Sequence, residues 1–472
     1  MLNISGGKLF AIVSFFAALT LLSYFNRYPT GDDAWFGEQS YWLAKEGVIR
    51  SEFFRGLLGW EKQILLSHKL FLLFGSMMIR FFGFHLPVLQ FTGLIFFCIF
   101  LFELFFYINQ KEKSLNTWYL PAILILVFAN RLLIKMSFEN RPEMMLAAFG
   151  FGSFLLIQTD RKTVLKTILA GILAGVAFLC HLNGVIFLIA GFVALLYNRN
   201  YKYTVVFAIA GGLTALLYWI DVLQALNGFE IWRYQFSNDP ATQDAFGVYS
   251  KFIQLITYPR LFFHSPEQIS LSLLLAFMVW HQRKFWSQLP LTLRVYSLAL
   301  LISFWLITKA NGALYLILFI PFMLILVYEL YKLHPFQNIA LKVILAAYLI
   351  IGAFGMGQII HRNFTMESLP VSYEKLRPRI ADDACGFVPL TFFFNEYEAY
   401  PRLLTHENYK LQSKKKGMTT VKMAHWANKN GVDFIVMDYK FRPEPYYPEA
   451  GTRSIPYYKL SFFDGRFAIY NR

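Results

Sequence analysis

The chain has 472 residues, of which 57% are hydrophobic and 15% charged, with a mean hydropathy of +0.44. This excludes an ordinary soluble globular protein and reads as an integral membrane protein. The formal net charge of +15 does not point to nucleic acid, because Lys and Arg fall in short loops and in the tail, not in one stripe. Cys98, Cys180 and Cys385 lie too far apart for a disulfide framework or a zinc spacing.

A helix needs about 20 apolar residues to cross a hydrocarbon core about 30 Å thick. On that measure the apolar runs predict eleven spans, over 8–25, 88–108, 118–136, 143–158, 164–180, 184–197, 203–223, 267–281, 293–309, 312–331 and 340–359. The first is read as a retained span, because no small-residue cleavage site follows "LTLLSYFNRYPTGDD". After it comes a long loop over 26–87, which opens with "PTGDDAWFGEQSYWLAKEG" and later carries "SHKLFLLFGSMMIRFFGFHLP". The latter is apolar on most positions but bounded by His68 and Arg80, which predicts an interfacial helix. The run 164–197 is too long for one span and is broken at "CHLNG". Two crossings there keep "HQRK" on the same side as "NQKEK", "TDRK", "NRNYK" and "YKLHP", so that all five basic loops share the N-terminal, cytoplasmic side.

From about His361 the composition changes. "TVKMAHWANKN" predicts a helix stopped by Gly431, "VDFIVMDY" a buried strand, and "YYKLSFFDGRFAIY" a hairpin turning at Asp464-Gly465. The expected organisation is a membrane domain over 1–360 and an extracytoplasmic α/β domain over 361–472.

The adjacent carboxylates Asp32 and Asp33 are the first chemical feature. Two acids held together near a low-dielectric rim repel, which raises the pKa of one and suits a general base or a metal ligand; the plainer alternative is a pair of solvated acids in a turn. "GDDAWFGEQSYWLAKEG" resembles the acidic pair and following helix at the start of the first outer loop in the GT-C membrane glycosyltransferases, in particular the protein O-mannosyltransferase and lipid A aminoarabinose transferase group. "HKLFLLFGSMMIRFFGFHLPVLQ" is similar to that group's juxtamembrane helix, with Lys69 present and the prolines absent. "NRPEMMLAAFGFGSFLL", "AGILAGVAFLCHLNGVIFLIAGFVALL" and "KANGALYLILFIPFMLIL" follow in the family's order, so the resemblance runs from about residue 8 to 331.

The resemblance implies a polytopic α-helical membrane protein of about 11 transmembrane helices with a small extracytoplasmic α/β domain, in a bacterial inner membrane with its active site facing outward. It implies an inverting glycosyltransferase that moves a sugar from a polyprenyl-phosphate donor to a lipid, glycan or protein acceptor. Asp32 is then the base, with Asp33 supporting it through metal or sugar contact. The departing phosphate needs cations or donors near it. Lys309, Arg141, His181 with Asn183, Arg260 with His264, and Lys69 are the candidates. Each has a structural alternative: Lys309 can snorkel, His181 can be a helix-turn residue, and Arg141 can pair with Glu139 or Glu143. A divalent cation is left open, with Asp33, Glu139 and Glu143 as its ligands. The alternatives are a lipid-linked glycan ligase or polymerase, and a transporter or flippase. The last is disfavoured because Glu103, Asp221 and Glu329 lie near predicted span ends instead of mid-membrane.

Overall fold

The computed structural model describes residues 6–24, 27, 29–112, 119–159, 162–240, 246–308, 312–335, 338–367, 369–392, 400, 402–413, 417–441 and 443–472. The chain is mostly helical. In order come α1 (Gly6–Tyr24), α2 (Gly31–Glu46), α3 (Lys69–Phe82), α4 (Leu86–Lys111), α5 (Tyr119–Phe128), α6 (Arg131–Met136), α7 (Glu143–Gln158), α8 (Val164–Cys180) and α9 (Val185–Tyr197). Then follow α10 (Tyr201–Leu216), α11 (Ile220–Gln224), α12 (Gly228–Asn238), α13 (Val248–Thr257), α14 (Pro266–His281), α15 (Leu291–Ile307), α16 (Ile320–Leu333) and α17 (Ile339–Thr365).

Every one of the eleven predicted spans contains a helix, but the length criterion is met by fewer of them. Among the described residues, four helices are long and apolar enough to cross a bilayer: Gly6–Tyr24, Leu86–Lys111, Tyr201–Gln224 and Ile339–Thr365. Val248–Leu261 and Pro266–His281 add a fifth if that pair, bent by 91°, is one span. Other apolar helices are shorter. The expected span 118–136 is interrupted at Asn130, whose side chain caps α6 by accepting from the Leu133 N–H.

Helices α7, α8, α9, α10 and α15 pack into one bundle, and α14 lies on α17. The crossing of α8 and α10 depends on small residues: a Cβ on Gly171 would come within 2.6 Å of the Phe207 carbonyl. The predicted interfacial helix is α3, which buries Phe71, Leu72 and Ile79 while Leu73, Met77, Phe81 and Phe82 face outward. Its apolar positions therefore split between two faces.

The tail forms a mixed sheet. Its strands are β1 (Gly386–Val388), β2 (Leu403–Thr405), β3 (Phe434–Asp438), β4 (Ser454–Ile455), β5 (Tyr458–Phe463) and β6 (Phe467–Asn471), in the order β2-β1-β3-β6-β5-β4. β1 pairs in parallel with β2 and β3, and the other pairings are antiparallel. The predicted helix is present over Thr420–Lys429, Gly431 takes φ 69°, and the hairpin turns at Gly465 with φ 90°. Helix α17 continues past the expected boundary at 361 to Thr365. The sheet also carries two cores: Val388, Leu403, Val436 and Ile469 join the core of the helical part, whereas Phe387, Ile435, Ala468 and Tyr470 form a second core on the other face.

The tail covers the first long loop. Asn408 and Gln412 donate to the Arg55 carbonyl at 3.0 Å each. Beneath them, fully buried Glu38 accepts from the Ser51 hydroxyl and from the Glu52 and Phe53 N–H groups, pinning that loop to α2. Burial pushes the Glu38 carboxyl up to about 7, against the pull of those donors.

Candidate active site

The first turn of α2 settles how the two adjacent acids differ. Thr30 is the N-cap and Asp33 occupies the third helical position, so the two close a capping box: the Thr30 hydroxyl accepts from the Asp33 N–H, and the Asp33 carboxylate accepts from the Thr30 N–H at 2.6 Å. Asp33 is wholly buried and also receives Arg27 Nη2 at 2.7 Å and the Asn140 N–H at 2.7 Å. Both of its oxygens are thereby occupied by donors within the protein. Asp32 points elsewhere, with its side chain about half exposed, at 49%, and is ion-paired with Arg141.

The segment 137–143 supplies the partners. It is clamped on three sides: Phe138 stacks on Tyr24 at 3.8 Å, Arg27 donates to the Phe138 carbonyl at 3.0 Å, and Asn140 donates to the Asp33 carbonyl at 3.2 Å. Helix α4 passes so close behind it that a Cβ on Gly93 would lie 2.7 Å from the Ser137 carbonyl. The clamp delivers Arg141 to Asp32 on one side and to Glu143 on the other, where Nε and Nη2 meet the two carboxylate oxygens at 3.0 and 2.5 Å. Glu143 is 1% exposed and stands in the first turn of α7, where the helix dipole favours negative charge.

Around this trio lies an aromatic and imidazole wall. The His68 ring stacks on His181 at 4.4 Å and packs against Phe36 at 5.1 Å, and His181 meets Tyr315 edge-on at 6.0 Å. His181 accepts from the Asn183 N–H at 2.9 Å and caps the short turn between α8 and α9, as its helix-turn reading expects. Burial raises the Asp32 carboxyl above the ordinary range, opposed by Arg141 and reinforced by Glu143 and Asp33.

The structure therefore joins Asp32, Arg141 and Glu143 in one ionic cluster, with His181 next to it through the His68 and Tyr315 rings, and the other predicted residues fall differently. Lys69 is bound to Asp221 and donates to the Tyr218 carbonyl at 2.6 Å. Arg260 is exposed on the turn Tyr258–Leu261, which packs against the turn Ala313–Leu318 that carries Tyr315; His264 is exposed just beyond it. Lys309 lies outside the described residues. Glu139 is buried with Lys135 at 3.3 Å, and burial and Asp33 push its carboxyl up.

The three proposed metal ligands do not face a common point. Asp33 is saturated by Arg27, Thr30 and Asn140, Glu139 faces Lys135, and Glu143 is held by a guanidinium. Among the described residues no group of three or more His, Cys, Asp or Glu side chains is arranged to hold a metal ion. The donor set does not fit a divalent cation, because Arg141 already supplies positive charge between Asp32 and Glu143.

Arg27, His68 and Tyr315 were missed in the sequence. Arg27 was legible in "NRYPTGDD" as a cation preceding an acidic helix start, whereas His68 and Tyr315 are brought in only by packing.

No known protein family and no curated protein matches the chain in sequence. Solved structures do match in fold. ArnT from Cupriavidus metallidurans bound to undecaprenyl phosphate superposes with a TM-score of 0.57 at 13% identity, over 98% of this chain and 98% of that one. The Archaeoglobus fulgidus oligosaccharyltransferase in complex with Zn and sulfate gives 0.54 at 14% identity, over 90% of this chain and 67% of that one. The chain therefore shares its overall fold with ArnT over nearly its whole length, helical part and C-terminal sheet together.

Proposed function

We propose that this protein is an inverting glycosyltransferase that takes a sugar from a polyprenyl-phosphate donor. The observation that carries the reading is the half-exposed Asp32 carboxylate on Arg141, in a chain that shares its fold end to end with a protein crystallised with undecaprenyl phosphate. Asp32 accepts the proton of the acceptor hydroxyl as its oxygen forms a bond to the anomeric carbon. The bond from that carbon to the phosphate oxygen breaks on the opposite face, and the lipid phosphate leaves with the electron pair. Arg141, anchored by Glu143, is the cation best placed to meet the charge that grows on the phosphate. Asp33 holds the first turn of α2 to Arg27 and Asn140 and is a positioning residue. His68, close to Glu143 and stacked on His181, adds an imidazole wall beside this cluster.

A ligase that moves a whole glycan from a lipid carrier is the second reading, favoured by the fold shared with the oligosaccharyltransferase. The acceptor class decides between the two. Purified protein supplied with a polyprenyl-phosphate hexose or pentose and with candidate lipid, glycan and peptide acceptors should give single-sugar transfer. Asp32→Asn should lower turnover by about a hundredfold or more, the smaller end of the effect of a lost base, with donor binding retained. Full activity of Asp32→Asn would remove the assignment, and transfer of an oligosaccharide only would favour the ligase.

A further inference from the structure

A second charged cavity lies on the other side of the first turn of α2. Its volume is about 190 Å³, and its lining includes Arg27, Arg131, Lys135, Arg362, Glu139 and Asn363. Four cations thus face one carboxylate. Two are matched, Arg27 by Asp33 at 2.7 Å and Lys135 by Glu139 at 3.3 Å. Arg131 and Arg362 have no carboxylate within ion-pair distance among the described residues. Buried Glu267 borders Gly355 beside the Arg131 stem without reaching its guanidinium, and the Arg362 guanidinium donates to the Met366 sulfur at 3.2 Å. Two guanidinium groups left over in a partly enclosed pocket form a site for an oxyanion that both can grip through paired N–H donors.

The position of the cavity identifies the source of that anion. Its walls are the ends of α1, at Tyr24, and of α17, at Ile359 to Met366, and both helices are long and apolar enough to cross a bilayer. Their flanks are bare: Phe15, Phe16 and Leu22 on α1 and Ile350, Phe354 and Phe364 on α17 are all more than half exposed. Phe441 from the tail closes the top, in a turn tied down by Asp438, which accepts the Phe441 N–H and pairs with Arg466; Arg466 also reaches Glu367 just after α17. Apolar chains laid along those flanks would bring a headgroup to the cavity mouth.

We propose that this cavity binds the anionic phosphate headgroup of a membrane lipid other than the sugar donor, gripped by Arg131 and Arg362. It stands apart from the Asp32 cluster: of the two adjacent acids, Asp33 backs onto this cavity through Arg27, and Asp32 faces Arg141 on the other side.

Native mass spectrometry of the purified full-length chain in detergent tests it, titrated with dioleoylphosphatidic acid, with dioleoylphosphatidylcholine and with inorganic phosphate. The phosphatidic acid should bind in preference to both others. The double variant Arg131→Gln/Arg362→Gln should weaken it by about tenfold or more, the loss expected for at least one charge-assisted bond. Should that variant fail to fold, Arg362→Glu, at an exposed position, should weaken binding at least as much. Unchanged affinity in the folded variants overturns the site. Equal affinity for phosphatidylcholine reduces it to chain contact and overturns it as well, and inorganic phosphate binding as tightly as the lipid overturns the lipid assignment. Binding is read without turnover, so the result is independent of the transferase reading.

Discussion

Replacing Arg141 by methionine keeps an unbranched stem and removes the charge, and its cost can be worked from what the guanidinium touches. Asp32 is about half exposed, so its ion pair contributes no more than about 1 kcal/mol. Glu143 is different. At 1% exposure and gripped through both oxygens, it is left as an uncompensated buried carboxylate when Arg141 goes, a loss of about 3–5 kcal/mol. Glu143→Gln alone strands the guanidinium in the same way, but Asp32 still holds it, so the loss is smaller. The double variant Arg141→Met/Glu143→Gln has no buried charge to strand and should be much less destabilised than the sum of the two singles, with a coupling of about 2–3 kcal/mol. The assay is reversible unfolding in mixed micelles, followed by tryptophan fluorescence, for the wild type and all three variants. On the proposed reading, transfer activity should stay low in the double variant, because stability returns without the cation assigned to the phosphate. Additivity of the two single effects to within about 0.5 kcal/mol would refute the claim that Glu143 serves to anchor Arg141.

The acid limb of the kcat/KM profile should lie above the ordinary aspartate range, because burial raises the Asp32 carboxyl; Arg141→Gln should move it higher still, since the cation is what lowers it. In the tail, His406 is buried with Nε2 against the Val436 carbonyl at 2.9 Å, and burial lowers it to about 3. An imidazole held neutral in the fold takes up its proton on unfolding at about pH 6.5, so its stabilising contribution is complete above that pH. It is lost at about 1.4 kcal/mol per pH unit on acidification from there toward pH 3. Limited proteolysis of the tail at pH 7 and pH 5 should show this loss, and His406→Gln should flatten the difference.

The large-scale fold was legible because bilayer thickness forces long apolar runs, and every predicted span does contain a helix. What composition could not give was where a run breaks. The 118–136 run looks continuous, yet Asn130 caps a new helix there, and that break starts the turn and loop that carry Arg141 to Asp32. The tail was legible for the opposite reason: Gly431 and Asp464-Gly465 are backbone signals that act locally. Pairing between distant side chains was the least readable. "HKLF" offers Lys69 as a candidate for the donor phosphate, but its partner Asp221 is 152 residues away in a segment read as a span end. His68 and His181 stack only because α3 packs against α8.

The adjacent acids show how local rules divide chemical roles. Successive residues on a helix point about 100° apart, and Asp32 and Asp33 here take different partners, Arg141 and Arg27. The capping box commits Asp33 to the backbone of Thr30 and to Arg27, which removes it as a base: protonation or departure of that carboxylate would uncap α2 and strand Arg27. Asp32, one position earlier, has no backbone duty and a single ion-pair partner among the described residues. On the proposed reading, a donor phosphate reaching Arg141 exchanges one oxyanion for another on a guanidinium that Glu143 keeps in place, so the arginine needs no further desolvation. Asp32 then loses the group that most lowers its proton affinity, and it becomes the stronger base as the acceptor arrives. Donor binding should therefore precede acceptor deprotonation. Asp32→Asn should bind the donor at least as tightly as the wild type, since the phosphate no longer competes with a carboxylate for Arg141. Weaker donor binding by Asp32→Asn would show that the carboxylate holds the sugar instead of being displaced from the arginine.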